Sequence, residues 1–327
     1  MLNNHLNQIE DNLFFIAGCG RSGTTLFRII LNAHPEVFVP PETYFFNGIA
    51  KGFGVDNTSS EKKICKLLSK WWIRDMKVEK GAIVELLDNS SHSWREVFLA
   101  FIGALSADSG AIRFGEKTPG HFKFAQRLLD EYPHCKIILL LRDPRASFAS
   151  FRSAKVGTGQ VSGFIKKWSY ATEVAQSLEG NPRVKRVYFE ELITDTEGVM
   201  DSVCTFLNIS FHDDMMNYHS RKDRDYSPEQ THHENTLKPI FTSGLVKWKS
   251  QLSTTQIGLI EHSLGEQMVA MGYELEGIKI TFPRIRYMYS SVIDKLTKLF
   301  ILKPKQFLIK RKVSIRLRQE NSLTNLE

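Results

Sequence analysis

The sequence contains few cysteines, and none of them forms a disulfide or metal-binding pattern. Its four cysteines, Cys19, Cys65, Cys135 and Cys204, lie far apart, and no CxxC pair occurs. Small disulfide-rich scaffolds and structural zinc sites need closely spaced cysteines, so this pattern argues against both classes. We predict that the cysteines are reduced residues of a hydrophobic core.

Long apolar segments are missing as well. No apolar run reaches the roughly 18 residues that suggest a transmembrane helix. The N-terminal stretch MLNNHLNQIEDN lacks the basic and apolar regions of a secretory signal. We therefore predict a cytoplasmic protein.

The charge balance favours anionic partners. The 327 residues include 43 Lys and Arg against 36 Asp and Glu, which gives a formal net charge of +7, and 42% of them are hydrophobic. A chain of this kind can bury a large core. We predict one domain over residues 1–280 and a basic C-terminal extension over 281–327. Nucleotides, sulfated or phosphorylated substrates and membrane surfaces fit the positive charge; no nucleic-acid partner is predicted, and the oligomeric state stays open.

Continuous apolar runs predict buried parallel strands. The runs are LFFIAG (13–18) and KIILLLRD (136–143), and VKRVYFEEL (184–192) is predicted to be a third strand. Amphipathic segments between them predict helices: TTLFRIILNAHP, which Pro35 ends, GHFKFAQRLLDEYP, and TEGVMDSVCTFLNI after the third strand. Since strands and helices alternate, the predicted class is α/β with a central, mainly parallel sheet.

Three segments fall outside this alternation. Residues from about 55 to 110 and from about 155 to 180 are predicted to be helical insertions rich in Lys, Trp and Leu. From about Pro283 the sequence becomes basic with interleaved apolar residues. Two interpretations of this tail stay open: an amphipathic segment that contacts anionic lipid or a polyanionic substrate, and a surface helix with a solvated end.

A glycine-rich loop follows the first predicted strand. The segment GCGRSGTT (18–25) satisfies the spacing of a phosphate-binding loop, but Thr24 stands where the phosphate-binding lysine is expected. Backbone N–H groups at a helix N-terminus still bind an anion. Ser22, Thr24 and Thr25 add hydroxyl donors, and Arg21 adds a permanent charge. The loop therefore favours an anion that needs no metal to neutralise it, such as a phosphosulfate.

These residues resemble the sulfotransferases that use 3′-phosphoadenosine 5′-phosphosulfate (PAPS). RSGTT is similar to their 5′-phosphosulfate-binding loop, and its arginine looks closer to the tyrosylprotein sulfotransferases and their bacterial relatives than to the cytosolic enzymes. The resemblance covers about residues 13–255. It implies a P-loop-type three-layer α/β/α fold, with PAPS as co-substrate and no metal. The implied phosphosulfate-binding residues are Arg21, Ser22, Gly23, Thr24 and Thr25.

The segment LLLRDPRASFASFRS resembles the family's 3′-phosphate-binding segment. Ligands collect at the carboxyl edge of an open α/β sheet, which is where Arg142 leaves its predicted strand. Ser150, in the following helix, is the second implied ligand. The alternative is an Arg-Asp-x-Arg sequence that only forms salt bridges at the strand end.

The resemblance implies two further nucleotide contacts. Tyr188 ends the third predicted strand, and Lys247 precedes Trp248 in a segment similar to the family's closing segment. The chain departs from the family at two nearby positions. His232 or His233 stands in place of a serine, and a family cation falls on Ala154, with Arg152 or Lys155 as a candidate substitute.

Sulfuryl transfer needs a base for the acceptor proton, and cations or hydrogen-bond donors for the charge on the bridging oxygen and the leaving phosphate. Glu42, in PPETYFF, follows the first helix and its proline stop, and Lys117, in FGEKTP, precedes a predicted helix start at Pro119. The resemblance implies that Glu42 is the catalytic base and that Lys117 acts at the reaction centre. Taken singly, each is equally readable as an ordinary surface charge.

The predicted reaction is transfer of a sulfuryl group from PAPS to a hydroxyl or amine acceptor without a metal. The alternatives are a P-loop small-molecule kinase and a non-catalytic nucleotide- or polyanion-binding protein. The acceptor stays open between a glycan, a lipid, a peptide tyrosine and a small alcohol. Tryptophans of the insertions could stack on it or belong to the core, and a histidine group shows no metal-ligand spacing. These residues are Trp71, Trp72, Trp94 and Trp168, and His212, His219, His232 and His233.

Overall fold

The computed structural model describes residues 2–46, 58–59, 80–87, 92–154, 159–220 and 239–302. Backbone packing divides the chain into two units. The first contains residues 1–142 and 170–246, and the second contains residues 143–169 and 247–327. The single domain over 1–280 stays a prediction.

The first unit is built on a parallel sheet. Its strands are β1 (Leu13–Gly18), β2 (Val37–Phe38), β5 (Arg113–Lys117), β6 (Lys136–Leu141) and β7 (Val184–Tyr188), in the spatial order β2-β5-β1-β6-β7. All four pairings are parallel, which confirms the predicted fold class. A separate antiparallel pair joins β3 (Thr58–Ser59) to β4 (His92–Ser93).

Helices precede, connect and follow these strands. In chain order they are α1 (Leu2–Asp11), α2 (Thr24–Leu31), α3 (Lys80–Leu86), α4 (Trp94–Ser106), α5 (Ala125–Glu131), α6 (Pro144–Ser153), α7 (Val161–Ser177), α8 (Phe189–Thr194), α9 (Thr196–Leu207), α10 (Trp248–Gln251), α11 (Thr254–Ala270) and α12 (Pro283–Thr297). Short 3₁₀ turns span Pro119–Phe124, Asp213–Met215, Tyr218–Ser220 and Thr242–Gly244, and a π-helical turn spans Lys298–Leu302. None of the helices in the described residues has the length and apolar character needed to cross a membrane.

Alternating side chains of β1 enter two apolar layers. Phe14 and Ile16 share one buried cluster with Phe27 of α2 and Val203 of α9. Phe15 points to the other face, where its ring centroid lies 5.7 Å from that of Phe98 on α4. Continuous apolar strands are buried on both faces in this way, so the sheet is the middle of three layers.

The carboxyl ends of four adjacent strands lie at one edge of the sheet. Ile16 of β1 is paired with Lys117 at the end of β5, and Gly18 is paired with Leu140 of β6. Leu141 is paired with Tyr188 at the end of β7. This is the edge at which open α/β sheets bind ligands.

Several element boundaries differ from the predictions. Helix α2 ends at Leu31, four residues before Pro35, because the chain turns at Asn32, whose side chain accepts a hydrogen bond from the Val39 N–H at 2.6 Å. β7 ends at Tyr188, and the rest of VKRVYFEEL begins α8. The segment GHFKFAQRLLDEYP is a 3₁₀ turn followed by the short helix α5.

The second unit has a buried ion-pair network near the start of α6. Asp143 caps the helix by accepting from the Arg145 N–H at 2.7 Å, and the Arg145 guanidinium pairs with the same carboxylate at 2.7 Å. Arg145 also pairs with Glu261 of α11 at 2.7 Å and lies 4.2 Å from the Trp248 ring centroid. The alternative in which the Arg-Asp-x-Arg sequence only forms salt bridges thus holds for its second arginine, Arg145.

Residues predicted to be core are buried where the structure describes them. Cys19, Cys135 and Cys204 are buried, and Trp168 is among the largest fully buried side chains. The first predicted insertion contains α3 and α4 but also the strand pair of β3 and β4, and the second contains α7. Cys65, Trp71 and Trp72 lie outside the described residues.

Candidate active site

The loop between β1 and α2 is tight and needs two of its glycines. A Cβ on Gly18 would lie 2.3 Å from the Leu140 carbonyl oxygen of the neighbouring strand. Gly23 has φ +90°, and a Cβ there would lie 2.2 Å from the Phe189 ring. The Ser22 N–H closes the loop by donating to the Cys19 carbonyl at 3.1 Å. Side chains at positions 18 and 23 would therefore displace the loop.

The N-terminus of α2 presents backbone N–H groups rather than side-chain hydroxyls. Gly23 occupies the N-cap position and no side chain caps the helix, so its first N–H groups have no intrahelical acceptor and attract an anion. Ser22 and Thr24 are only 0% and 3% exposed. Thr25 is the partly exposed hydroxyl of the three predicted donors.

Arg21 lies beside this N-terminus in the left-handed backbone region, at φ +73°. Burial lowers the pKa of its guanidinium, and the negative charge of Glu42 opposes that effect. Glu42 is thus electrostatically coupled to a cation of the loop.

A buried lysine and a partly exposed glutamate meet at the same place. Lys117 Nζ donates to Glu42 Oε1 at 2.7 Å and to Thr25 Oγ1 at 3.4 Å. The Lys117 side chain is 3% exposed and that of Glu42 is 26% exposed. The structure therefore brings Glu42, Lys117 and Thr25 together at the start of α2, from three separate segments.

The charge of Lys117 depends on its carboxylate neighbour. Burial lowers the pKa of Lys117, and the nearby charge of buried Arg28 lowers it further, whereas the attraction and hydrogen bond of Glu42 raise it. Loss of the Glu42 charge would shift the equilibrium toward a neutral amine.

Glu116 forms a buried polar network directly behind this pair, which was not predicted from the sequence. Its Oε1 accepts from Thr43 Oγ1 at 2.7 Å and from Thr118 Oγ1 at 2.6 Å, and its Oε2 lies 2.7 Å from His121 Nδ1. Burial raises the pKa of Glu116, but His121 and the two hydroxyls outweigh it, so the pKa lies below its ordinary value. Since Thr43 follows Glu42, and Glu116 precedes Lys117, the network fixes both segments together.

Tyr44, two residues after Glu42, contacts that glutamate and was not predicted from the sequence either. Its backbone lies in the left-handed region at φ +49°, which is uncommon for a bulky residue and is often found at functional sites. Its N–H donates to Thr118 Oγ1 at 3.1 Å, and its hydroxyl is hydrogen-bonded to Glu42. Burial and the Glu42 charge both raise the pKa of Tyr44.

Arg142 and Tyr188 lie at the same edge of the sheet. Arg142 Nη1 donates to the Arg21 carbonyl at 3.1 Å, and its guanidinium carbon lies 4.1 Å from the centroid of the Phe189 ring. That ring also contacts the backbone of Gly23. Tyr188 precedes Phe189, and burial raises the pKa of its hydroxyl. Arg142 is thus joined to the loop by a hydrogen bond and through a shared aromatic ring.

The remaining predicted residues belong elsewhere. Ser150 lies on α6 and exposed Lys247 precedes α10, both in the second unit, so their contacts with a nucleotide stay predictions. Arg152 donates to Gln256 Oε1 at 3.0 Å in the same unit. Lys155, His232 and His233 lie outside the described residues.

Comparisons with known proteins agree on one family. A model of the sulfotransferase family matches residues 14–213. Protein-tyrosine sulfotransferase A of Caenorhabditis elegans is 27% identical over 282 residues, covering 80% of this chain and 67% of that protein. Four matching protein-tyrosine sulfotransferases are covered over 48% to 70% of their own lengths.

Solved structures share the fold. The sulfotransferase domain of the Synechococcus PCC 7002 olefin synthase matches with a TM-score of 0.58 at 19% identity, over 80% of this chain and 94% of that one. The sulfotransferase domain from the curacin biosynthetic pathway matches with a TM-score of 0.57 at 17% identity, over 80% of this chain and 98% of that one. Because the family model covers more than half of its length, the chain belongs to the sulfotransferase family of enzymes.

Proposed function

We propose that this enzyme transfers the sulfuryl group of PAPS to a hydroxyl or amine acceptor by an in-line reaction that needs no metal. The observation that carries the proposal is the buried Lys117, paired with Glu42 at 2.7 Å beside the start of α2. A cation, a carboxylate and uncapped helical N–H groups are the parts that this chemistry requires.

The donor's anionic groups fit two places on the sheet edge. The phosphosulfate would lie on the N–H groups of Gly23, Thr24 and Thr25, where the helix lacks a side-chain cap, with Arg21 adjacent. The Ser22 N–H already donates to the Cys19 carbonyl, so Ser22 would contribute through its Oγ, a buried hydroxyl with no hydrogen-bond partner in the described part of the chain.

The adenosine 3′-phosphate would lie near Arg142, and Tyr188 would contact the nucleoside. Arg142 follows the end of β6 and is already oriented by the Phe189 ring.

Glu42 is the proposed base and Lys117 the proposed stabiliser of the leaving group. As the acceptor oxygen forms its bond to sulfur, its proton passes to the Glu42 carboxylate. The bond from sulfur to the bridging oxygen breaks, and its electron pair stays on the 5′-phosphate of PAP. The Lys117 ammonium offsets that charge from a site with little access to water, where electrostatic stabilisation is strong.

The acceptor is proposed only as a class. A partly exposed carboxylate and the Tyr44 ring beside it suit a hydroxyl-bearing acceptor. A tyrosyl peptide is the first candidate, because the matching relatives are named protein-tyrosine sulfotransferases. A glycan, a lipid and a small alcohol follow it.

A binding measurement followed by an acceptor screen tests the proposal. Calorimetry with PAP in the presence of EDTA should show binding in the micromolar range. Labelled PAPS, incubated with each acceptor class, should transfer label to at least one. Absence of PAP binding, or binding that requires magnesium, would overturn the proposal.

A further inference from the structure

Within the second unit, helix α12 packs its polar side against the start of α7. Ser290 and Asp294, four residues apart, are its buried residues. Ser290 Oγ donates to Ser162 Oγ at 3.1 Å and accepts from the Ser162 N–H at 3.2 Å. Asp294 lies so close to Gly163 that a Cβ there would come within 2.9 Å of its carboxylate. The contact is polar and requires a glycine on the partner helix.

The opposite side of α12 is an exposed apolar stripe. Its members recur at helical spacing, and each is between 46% and 71% exposed: Ile285, Met288, Tyr289, Val292 and Leu296. The π-helical turn continues it with Leu299, Phe300 and Ile301, at 48% to 68%. At about 100° per residue, the centre of the stripe lies nearly opposite Ser290 and Asp294. A surface helix usually buries its apolar side, so α12 is inverted.

Basic residues flank the apolar stripe. Arg284 and Lys295 lie along one border and Arg286 along the other, and all three are exposed. The one acidic residue of α12, Asp294, faces inward and pairs with Lys298 at 2.6 Å. The sequence continues after Leu302 as KPKQFLIKRKVSIRLRQE, with seven Lys and Arg before its first acidic residue. The exposed charge of the described residues that flank the stripe is thus positive, and the sequence that follows is basic.

We propose that the apolar stripe of α12 binds the surface of a bilayer that contains anionic lipids. An interfacial helix needs a narrow apolar face, flanking Lys and Arg, and large residues that enter the boundary between headgroups and acyl chains. Lipid phosphates supply the opposite charge that the borders require. A second copy of this chain fits poorly, because it would bring the same cations against each other. This binding goes beyond the proposed sulfuryl transfer and does not depend on it.

Vesicle flotation of the full chain tests the proposal. Binding to phosphatidylcholine vesicles with about 30% phosphatidylserine should be at least about tenfold tighter than to phosphatidylcholine alone, and should weaken with salt. The double variant Met288→Glu with Val292→Glu should lose about tenfold or more of that affinity. Val269→Glu is the matched control, since Val269 is a 60% exposed valine on α11. It should bind like the wild type.

A second pair of variants tests the charged borders without touching the apolar residues. Arg284→Gln with Lys295→Gln should weaken binding to anionic vesicles, whereas Lys123→Gln with Lys166→Gln, on exposed lysines elsewhere, should have a smaller effect. These variants decide the matter if the glutamate variants fail to fold, as judged by circular dichroism. Equal binding to neutral and anionic vesicles, no binding, or a stripe variant that matches Val269→Glu would overturn the proposal. So would self-association in sedimentation velocity that the stripe variant abolishes.

Discussion

Lys117 Nζ lies 2.7 Å from Glu42 Oε1, although 75 residues separate the two in the chain. The pair is asymmetric, because the lysine is 3% exposed and the glutamate 26% exposed. A buried ammonium depends on its partner to stay charged, whereas a carboxylate with a solvent-facing side can accept a proton from an arriving acceptor. The geometry therefore supports the proposed roles of Lys117 as a cation and of Glu42 as a base.

Replacement of Glu42 by glutamine should lower kcat by about 10² to 10⁴, since the amide cannot accept the acceptor proton. PAP affinity should change by less than about threefold, because the N–H groups that are proposed to bind phosphate are not affected. Turnover with labelled PAPS and calorimetry with PAP provide the two measurements. Glu36→Gln is the control, an exposed glutamate on the same segment. Unchanged turnover in Glu42→Gln would remove Glu42 from the mechanism.

Replacement of Lys117 by methionine should lower activity without lowering stability. The kcat should fall by about 10² to 10³, because the negative charge that develops on the leaving oxygen loses the ammonium proposed to offset it. The free energy of unfolding should stay within about 1 kcal/mol or rise, since a desolvated ammonium is removed and Glu42 can be solvated. Urea unfolding and turnover test this. A large loss of stability would show that Lys117 is primarily a structural residue.

Replacement of Glu116 by glutamine should destabilise the protein in a pH-dependent way. At pH 7 the loss should be about 2 kcal/mol, because a buried amide cannot satisfy Thr43, Thr118 and His121 together. The folded pKa of Glu116 lies below its ordinary value of 4.5, so its contribution is present above that pH and lost as the pH falls through the lowered folded pKa.

Urea unfolding at several pH values checks the Glu116 prediction. The difference between the wild type and Glu116→Gln should be constant near neutrality and shrink below pH 4.5. Glu131→Gln, on α5, removes only a surface pair with Arg127 and should cost less than about 1 kcal/mol. A difference that grows as the pH falls would contradict the assignment.

Two of the three strands that were predicted from the sequence, β1 and β6, have apolar side chains on both faces, whereas β7 reads VKRVY and is only partly buried. β1 and β6 are continuous apolar runs, and the glycine loop after β1 has a recognisable spacing. β5 reads RFGEK and was not predicted, because a buried strand with several charged residues has no apolar pattern. Lys117 is paired with Glu42, and Glu116 is satisfied by Thr43 together with Thr118 and His121, which follow it in the sequence.

The Glu42 and Lys117 segments were predicted from a family resemblance, whereas the network that holds them together was not. Thr43, Tyr44 and His121 are ordinary residues in the sequence, and only tertiary contacts reveal their roles. The inversion of α12 has the same cause. Its amphipathic pattern could be read from the sequence, but which side packs on the protein depends on Ser162 and Gly163, more than 100 residues earlier.

The two arginines of the segment RDPR should separate in function. Arg145→Lys should cost about 2 to 4 kcal/mol of stability, because lysine cannot reproduce the paired contacts with Asp143 and Glu261. Arg142→Gln should lower PAP affinity by about tenfold and change stability by less than about 1 kcal/mol. Urea unfolding and PAP calorimetry on both variants check this. A loss of stability in Arg142→Gln and a loss of PAP affinity in Arg145→Lys would exchange the structural and nucleotide-binding roles of the two arginines.

Gly23→Ala should destabilise the loop for two separable reasons. The φ of +90° costs a non-glycine residue of the order of 1 kcal/mol, and the new Cβ would also overlap the Phe189 ring at 2.2 Å. Gly110→Ala isolates the first cost, since Gly110 has φ +67° and a Cβ there would meet nothing within 4 Å. Gly23→Ala should therefore cost about 1 to 3 kcal/mol more than Gly110→Ala and should weaken PAP binding.

A double-mutant cycle with Phe189→Ala separates the two costs at Gly23 itself. In the Phe189→Ala background the ring overlap is gone, so Gly23→Ala should cost only about as much as Gly110→Ala. An equal cost of Gly23→Ala in both backgrounds would mean that the ring does not constrain the loop. Because the same ring lies 4.1 Å from the Arg142 guanidinium, Phe189→Ala should by itself weaken PAP binding, which links the position of the loop to that of the proposed 3′-phosphate ligand.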